Sequence, residues 1–135
     1  MRTPSTIYLA EDDEDMRLLI ALALTSDGYD VTQAKDGSEL LELLATAATT
    51  PLKRPDVIVS DVLMPGYSGI GVLAALQRCD WTVPMILITA RQDDAIVQEA
   101  IRLGASAVVR KPFDMDDLRI AILNVVTIGF SDVVS

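Results

Sequence analysis

The sequence predicts an α/β fold: one doubly wound sheet of five parallel strands with helices on both faces. Two observations predict it. Short apolar runs alternate with longer stretches of helical periodicity from one end of the chain to the other, which is typical of a parallel sheet covered on both sides. The chain has 135 residues, 50% of them hydrophobic, which suffices for one domain with its own core and leaves little room for a second.

Five strand–helix units follow one another in order. Strands are predicted where apolar residues run continuously for a few positions, and helices where they recur at helical spacing. The predicted strands are Thr6–Ala10, Tyr29–Ala34, Asp56–Ser60, Met85–Thr89 and Ala107–Arg110. The predicted helices are Glu14–Ser26, Ser38–Ala48, Ile70–Arg78, Asp94–Leu103 and Met115–Val126. Residues 127–135 lack a clear period, so we predict a domain over residues 1–126 followed by a tail or the start of a linker.

Residues that begin and end helices support these boundaries. Gly28 and Gly104 stand where the first and fourth helices should stop, because glycine readily adopts the left-handed conformation that follows a helix. Asp36 and Glu39 have the spacing of an N-terminal capping pair at the second helix. The residues that begin and end helices therefore agree with the helix boundaries that the apolar periodicity predicts.

The charge of the chain excludes several classes of function. Eleven Lys+Arg against 20 Asp+Glu give a net charge of −9, and a field of that sign repels phosphate backbones and anionic membrane surfaces. We therefore expect no contact with nucleic acid and none with membranes. The longest apolar run, Leu18–Leu24, is far shorter than the ~20 residues of a membrane helix. Because the N-terminus also lacks the layout of a signal peptide, we expect a cytoplasmic protein.

Acids, a threonine and a lysine lie at the ends of the predicted strands. In a doubly wound sheet the functional crevice lies at the carboxyl ends of the strands, so these residues converge on one edge. The chain contains no histidine, so any chemistry there relies on carboxylates, hydroxyls and lysines. The residues at this edge are Glu11, Asp12 and Asp13 after the first strand, Asp61 after the third, Thr89 at the end of the fourth and Lys111 after the fifth.

A cluster of these acids requires a cation. Glu11, Asp12 and Asp61 within a few ångströms would repel one another by roughly 4 kcal/mol per pair at an effective dielectric constant near 20. Carboxylates without His or Cys are hard oxygen ligands that suit Mg²⁺ or Mn²⁺, and Lys111 adds a positive charge opposite them. Such a site can hold a phosphoryl group. The alternative is that the acids cap helices and cover a solvated surface.

Several short motifs contain these residues. They are Glu11-Asp12, Asp61-Val62-Leu63-Met64-Pro65-Gly66, Ser68-Gly69, Ile88-Thr89-Ala90, Gly104-Ala105 and Lys111-Pro112-Phe113. Their order and spacing, over about residues 6–126, resemble those of the receiver domain of bacterial two-component response regulators. The resemblance implies a flavodoxin-like sheet with strand order 2-1-3-4-5.

The resemblance also sets the register of the acids. In the family, the second acid of the pair precedes by four positions an apolar residue that is usually followed by arginine, and Met16-Arg17 fits that place. Asp12 then resembles the direct metal ligand and Glu11 the acid that acts through water. Asp13 is left to cap the first helix.

The remaining roles implied by the resemblance surround a phosphoryl group. Asp61 is similar to the phosphoacceptor, a carboxylate nucleophile that becomes an aspartyl phosphate, and the backbone carbonyl of Leu63 to the third protein ligand of the metal. Thr89 would donate its hydroxyl and Ala90 its N–H to phosphoryl oxygens, and Lys111 would pair with the acyl phosphate. The family usually has a cis peptide after this lysine, which predicts a cis bond before Pro112.

One switch position departs from the family. An aromatic residue commonly stands three positions before the lysine, and here that residue is Val108. A β-branched valine has few rotamers and cannot exchange a ring between two sites. We therefore expect activation to depend on a shift of the loop after Thr89 and of the helix that follows.

The first helix has more leucines than one face can bury. When one face of this helix packs on the core, Leu18 and Leu22 point away from the core. In the family, the start of this helix commonly contacts the phosphodonor protein. The two leucines are either a small docking patch for that partner or ordinary exposed residues. The predicted core face consists of Met16, Leu19, Ile20, Ala23 and Leu24.

Three functions are compatible with these residues. The leading one is a receiver domain that takes a phosphoryl group from a histidine kinase or a histidine phosphotransfer protein onto Asp61. It would signal by conformational change to a downstream effector protein or through a phosphorylation-dependent homodimer, with no enzymatic activity beyond its own phosphorylation and dephosphorylation. The second, favoured by Val108, is a receiver-like interaction module that phosphorylation does not regulate. The third, a haloacid-dehalogenase-type phosphohydrolase, needs a second Asp two residues after the nucleophile, where Leu63 stands.

Overall fold

Strands and helices alternate in the structure, a computed structural model that describes residues 4–50, 54–90 and 92–134, with side chains described to residue 126. The strands are β1 (Thr6–Ala10), β2 (Asp30–Ala34), β3 (Val57–Asp61), β4 (Met85–Ala90) and β5 (Ala107–Lys111). The helices are α1 (Glu14–Ser26), α2 (Gly37–Ala48), α3 (Gly69–Arg78), α4 (Asp94–Arg102) and α5 (Met115–Val134).

The predicted elements are all present, and their ends agree to within one residue except at the end of α5. Strands β3, β4 and β5 each end one residue later than predicted, at Asp61, Ala90 and Lys111, because the parallel pairing continues into the residues of the predicted site. Helix α5 runs past Val126 to Val134. No proline stands in that stretch to end a helix. The domain boundary at residue 126 stays a prediction.

The five strands form one parallel sheet in the order β2-β1-β3-β4-β5, which confirms the predicted fold class and strand order. The chain winds from β1 outward to β2, and then from β3 outward through β4 to β5. The carboxyl ends of β1 and β3, where the winding reverses, are therefore neighbours. This juxtaposition positions the candidate site.

Alternate residues of the inner strands are buried against opposite layers of helices. Ile7 and Leu9 of β1 pack with α1 and α5, whereas Tyr8 and Ala10 pack with α2, α3 and α4. All residues of the central strand β3 are buried, as two covered faces require. Among the described residues, none of the helices combines the length and the apolar character needed to cross a membrane.

The buried face of α1 differs from the prediction. Ile20, Ala21 and Leu24 are buried, whereas Leu19 is 57% exposed, so its predicted place in the core was wrong. Successive helical residues point about 100° apart, and Ile20 with Leu24 sets the direction of the buried stripe. That direction turns Leu19 toward the solvent together with Leu18.

Candidate functional site

Four predicted site residues meet at the carboxyl edge of the sheet. Carboxylate oxygens of Glu11, Asp12 and Asp61 lie within 4.8 Å of one another. The Lys111 Nζ lies 2.6 Å from Asp61 Oδ2 and 3.5 Å from Glu11 Oε1. Residues from three strand ends that are far apart in sequence thus form one cluster of three acids and one lysine.

The sheet itself holds the backbone of the two buried acids. The Glu11 N–H donates to the carbonyl of Ala34 at 3.1 Å, and the Val62 N–H donates to the carbonyl of Ile88 at 2.9 Å. Both bonds extend the strand pairing beyond the last residues of β1 and β3. Glu11 and Asp61 are therefore fixed by hydrogen bonds that do not use their carboxylates.

Burial shapes the electrostatics of the cluster. Glu11 is 1% exposed and Asp61 is 5% exposed. Burial, followed by the charge of Asp61 and a hydrogen bond with it, raises the pKa of Glu11 from 4.5 to about 7, although Lys111 and the Asp13 N–H act in the opposite direction. Burial alone would lower the pKa of Lys111, but its hydrogen bond to Asp61 and the charges of both acids outweigh burial and raise it. The lysine is thus held as a cation beside two acids that repel each other.

The donor set fits a hard divalent cation. Asp12 is exposed, and within the described part of the chain its carboxylate has no hydrogen-bond or ion-pair partner, so its oxygens are free to bind. All three acids offer oxygen, the ligand that Mg²⁺ and Mn²⁺ prefer. Asp13 has the predicted different role, because its Oδ1 accepts a hydrogen bond from the Met16 N–H at 3.1 Å and caps α1.

The residues predicted to bind phosphoryl oxygens lie beside the cluster. Thr89 is buried and Ala90 is exposed at the end of β4, where the strand register pairs Ala90 with Lys111. The Leu63 N–H donates to Asp61 Oδ1 at 3.2 Å, which holds the residue with the predicted ligand carbonyl, two positions along the chain, close to the acceptor. The Leu63 side chain is 68% exposed.

The switch position lies on β5, three residues before Lys111. Val108 is partly buried and packs against the core layer under α2, α3 and α4. Its neighbour Arg110 forms an ion pair of 2.8 Å between Nη1 and Asp94 Oδ1 at the start of α4. Strand β5 thus contacts α4 through an ion pair, and no aromatic ring stands at position 108.

An apolar groove opens beside the lysine. It has a volume of about 510 Å³ and lies between α1 and the loop after β5, with Leu19, Phe113 and Met115 among its lining residues. The Lys111-Pro112 peptide in its wall is cis, as predicted. Leu18 and Leu22 are 50% and 68% exposed, so both predicted docking residues are accessible on α1.

Sequence reasoning missed the contacts of Arg17, which it used only to set the register of the acids. The Arg17 Nη1 donates to the backbone carbonyl of Glu11 at 2.9 Å, and Nε donates to Gln33 Oε1 at 3.2 Å. A signal existed in the sequence, since a lone arginine closely follows five consecutive acids. That the Arg17 side chain reaches the Glu11 carbonyl depends on the fold.

Known proteins with similar sequences and structures were found. The family model of the response regulator receiver domain matches residues 7–123. Sporulation initiation phosphotransferase F of Bacillus subtilis (strain 168) is 30% identical over 116 residues, which are 86% of this chain and 89% of that protein. The DNA-binding transcriptional regulator NtrC of Escherichia coli (strain K12) is 33% identical over 111 residues, 82% of this chain. The chain spans only about a fifth of the length of NtrC, 22%.

A solved structure has the same architecture. The receiver domain of the Francisella response regulator 1452 superimposes with a TM-score of 0.84 at 29% sequence identity, covering 93% of this chain and 98% of that one. Together with the family model, this likeness confirms the resemblance inferred from the motifs.

Proposed function

We propose that this chain, which belongs to the response regulator receiver domain family, accepts a phosphoryl group on Asp61 in two-component signalling. The observation that carries the assignment is the surroundings of Asp61. Its buried carboxylate lies 2.6 Å from the Lys111 ammonium and within 4.8 Å of ligand oxygens of Glu11 and Asp12. Among the described carboxylates, Glu11 shares this burial and these neighbours, but its oxygen lies 3.5 Å from the Lys111 Nζ, farther than the 2.6 Å of Asp61.

A divalent cation completes the proposed site. Glu11, Asp12 and Asp61 would hold Mg²⁺, or Mn²⁺, with their carboxylates, and Leu63 would add its backbone carbonyl. When bound, the cation would offset the repulsion among the acids and attract the oxygens of the incoming phosphoryl group. The raised pKa of Glu11, caused first by burial and then by the charge of Asp61, supports this part of the proposal, because a bound cation would offset both effects.

Asp61 acts as the nucleophile in the transfer. One of its carboxylate oxygens forms a bond to phosphorus while the bond between phosphorus and the imidazole nitrogen of the donor breaks. The electron pair of that bond stays on the imidazole, which takes up a proton. Lys111, the hydroxyl of Thr89 and the N–H of Ala90 would stabilise the phosphoryl oxygens by charge and hydrogen bonds.

The phosphodonor would be a histidine kinase or a histidine phosphotransfer protein that docks on α1. Leu18 and Leu22 are exposed one helical turn apart, and Leu19 adds a third apolar side chain that continues into the groove beside Lys111. An apolar helical surface on the donor would cover these leucines and present its histidine to Asp61. Contiguous exposed apolar residues next to a reactive group favour such an interface.

The output of the phosphorylated domain would pass through α4. A downstream effector protein that prefers the altered surface, or a homodimer that forms on phosphorylation, would read the change. The proposal includes a cytoplasmic location and no catalysis on other molecules beyond phosphorylation and dephosphorylation of Asp61 itself.

The direct test uses a small acyl phosphate as donor, Mg²⁺ and intact-mass spectrometry. Wild-type protein should gain one phosphoryl group, and omission of Mg²⁺ should prevent it. Asp61→Asn should gain none. Asp80→Asn is the matched control, because Asp80 is exposed at the end of α3 and its positive φ of 56° suits asparagine. Phosphorylation of Asp61→Asn at the wild-type rate would contradict the assignment.

Two other functions are not favoured. A haloacid-dehalogenase-type phosphohydrolase needs a second aspartate as general acid two residues after the nucleophile, and Leu63 stands there. Such an enzyme would hydrolyse phosphate esters catalytically. An interaction module that phosphorylation does not regulate has no need of two buried acids paired with a lysine. The same mass experiment separates them, since the first would turn over the donor continuously and the second would stay unmodified.

A further inference from the structure

The loop between β1 and α1 carries two of the proposed metal ligands, Glu11 and Asp12, and Arg17 fastens it from the first turns of α1. We propose that Arg17 is a positioning residue that holds this loop in the geometry for divalent-cation binding. The inference rests on the proposed function, because it assigns a task at the same site. Arg17 contacts no proposed ligand carboxylate, so it would act only through the backbone.

The contacts of Arg17 cross the loop. Its Nη1 donates to the Glu11 carbonyl at 2.9 Å and its Nε donates to Gln33 Oε1 on β2 at 3.2 Å. The planar guanidinium can make both bonds at once in a fixed orientation. The loop is therefore attached to β2 twice, through this bridge and through the Glu11 N–H bond to Ala34.

Asp12 lies between two fixed points as a result. On one side the Glu11 carbonyl is held by Arg17, and on the other the Asp13 carboxylate caps α1 through the Met16 N–H. Asp12 itself has no side-chain partner among the described residues. The direction of the Asp12 side chain toward the cluster thus depends on the backbone on both sides of Asp12. Arg17 holds the backbone on the Glu11 side.

The charge of Arg17 lets the change in Mg²⁺ affinity distinguish a positioning role from a purely electrostatic one. Within the described part of the chain its guanidinium forms no ion pair with a carboxylate, so it leaves the acids of the loop free for the cation. A positive charge near the site on its own repels Mg²⁺. Removing Arg17 should tighten Mg²⁺ binding if charge alone matters, and weaken it if Arg17 positions the loop.

The test measures Mg²⁺ dissociation constants by calorimetry at fixed ionic strength, on folded proteins with thermal unfolding recorded in parallel. We expect Arg17→Ala to bind Mg²⁺ about 10-fold more weakly, the usual effect of losing a residue that orients ligands. Arg17→Lys keeps the charge but cannot make both bonds in fixed geometry, so we expect it to bind about 3-fold more weakly. Arg102→Ala, which removes an exposed arginine of α4, should bind Mg²⁺ like the wild type.

Gln33→Ala provides a second route to the same answer, since Gln33 is exposed. If Gln33 acts by orienting Arg17, the double variant Arg17→Ala/Gln33→Ala should bind Mg²⁺ no more weakly than Arg17→Ala alone. Wild-type binding by Arg17→Ala or Arg17→Lys, or tighter binding by Arg17→Ala, would overturn this inference and leave the proposed function intact. Failure of the wild-type protein to bind Mg²⁺ would contradict both.

Discussion

The starts of α1 and α4 lie at the same edge of the sheet, after β1 and β4 on either side of β3, yet they are held very differently. Helix α1 begins with a side-chain cap from Asp13 and is tied back to its loop by Arg17. At the start of α4, Asp93 forms no side-chain cap bond. Both helices bury a similar share of their residues, three of 13 in α1 and two of nine in α4.

The β1–α1 loop is thus held in a fixed position, whereas the start of α4 can move at a lower free-energy cost. Groups that must bind a cation and a phosphoryl group gain from a rigid frame, because orientation is set before the reaction. A helix start without a side-chain cap moves at a lower free-energy cost than a capped one. We therefore expect binding at Asp61 to shift the β4–α4 region more readily than the start of α1.

Two polar contacts also hold α4, one at each end of the helix. The Arg110–Asp94 ion pair joins β5 to the helix start, and its partners are 39% and 84% exposed, so solvent screens it. At the other end, the Gln77 side chain donates to the Leu103 carbonyl. With Val108 in place of a ring, the shift of this helix would rest on Thr89 and the backbone around Ala90.

The largest effect should follow from Lys111→Ala, which removes the cation from the fixed half of the site. The rate of Asp61 phosphorylation at saturating Mg²⁺ should fall about 100-fold, as when a preorganised stabilising group is lost. Intact-mass kinetics measure this rate, and the exposed Lys35 provides the control variant Lys35→Ala. A rate equal to that of the control would show that Lys111 serves folding alone.

A smaller effect is expected for Glu11→Gln, which removes one negative charge from the buried cluster. Mg²⁺ binding should weaken, because a ligand charge is lost, whereas metal-free protein should become more stable at about pH 8. Because the pKa of Glu11 is raised from 4.5 to about 7 in the folded chain, the folded state binds more protons than the unfolded state in that range. Stability contributed by this group therefore falls as the pH rises from about 4.5 to 7.

The pH dependence makes the Glu11→Gln prediction sharper. Chemical denaturation of both metal-free proteins at several pH values should give a stability gain for the variant that grows between about pH 5 and pH 8. If the stability gain of Glu11→Gln were independent of pH, the ionisation of Glu11 would not be its cause.

The smallest effect compares two helix caps. Asp36 accepts a hydrogen bond from the Glu39 N–H at 2.8 Å at the start of α2, so Asp36→Ala should lower the free energy of unfolding by about 1 kcal/mol. Asp93→Ala removes the same charge at the start of α4 without breaking a cap bond, and its effect should stay within about 0.5 kcal/mol. Equal losses in urea denaturation would remove the contrast between α4 and the other helices.

The sequence predicted the fold and the composition of the site because both follow from local patterns. Buried strands appear as apolar runs, and residues directly after parallel strands must share one edge, which brings Glu11, Asp61 and Lys111 together. The motifs added the strand order and the register that separates Asp12 from Asp13. Neither step requires the exact direction of a side chain.

Features that depend on side-chain direction were not predictable in the same way. Leu19 and Ile20 are adjacent and equally apolar, and only the packing of α1 against the sheet decides which one is buried. Asp93 and Asp13 both precede a helix, yet the local backbone lets only Asp13 make its cap bond. The reach of Arg17 to Gln33 joins two elements whose pairing the sequence does not encode locally.

The most direct test of the account compares amide chemical shifts with and without beryllofluoride, a phosphoryl mimic, in the presence of Mg²⁺. We predict large changes at Asp61 and throughout residues 89–103, with small changes over residues 18–26 of α1. Thr89→Ala should retain the change at Asp61 and lose most of the change in α4. Clear changes at Asp61 with unchanged shifts over residues 89–103 would contradict the claim that the signal leaves the site through α4.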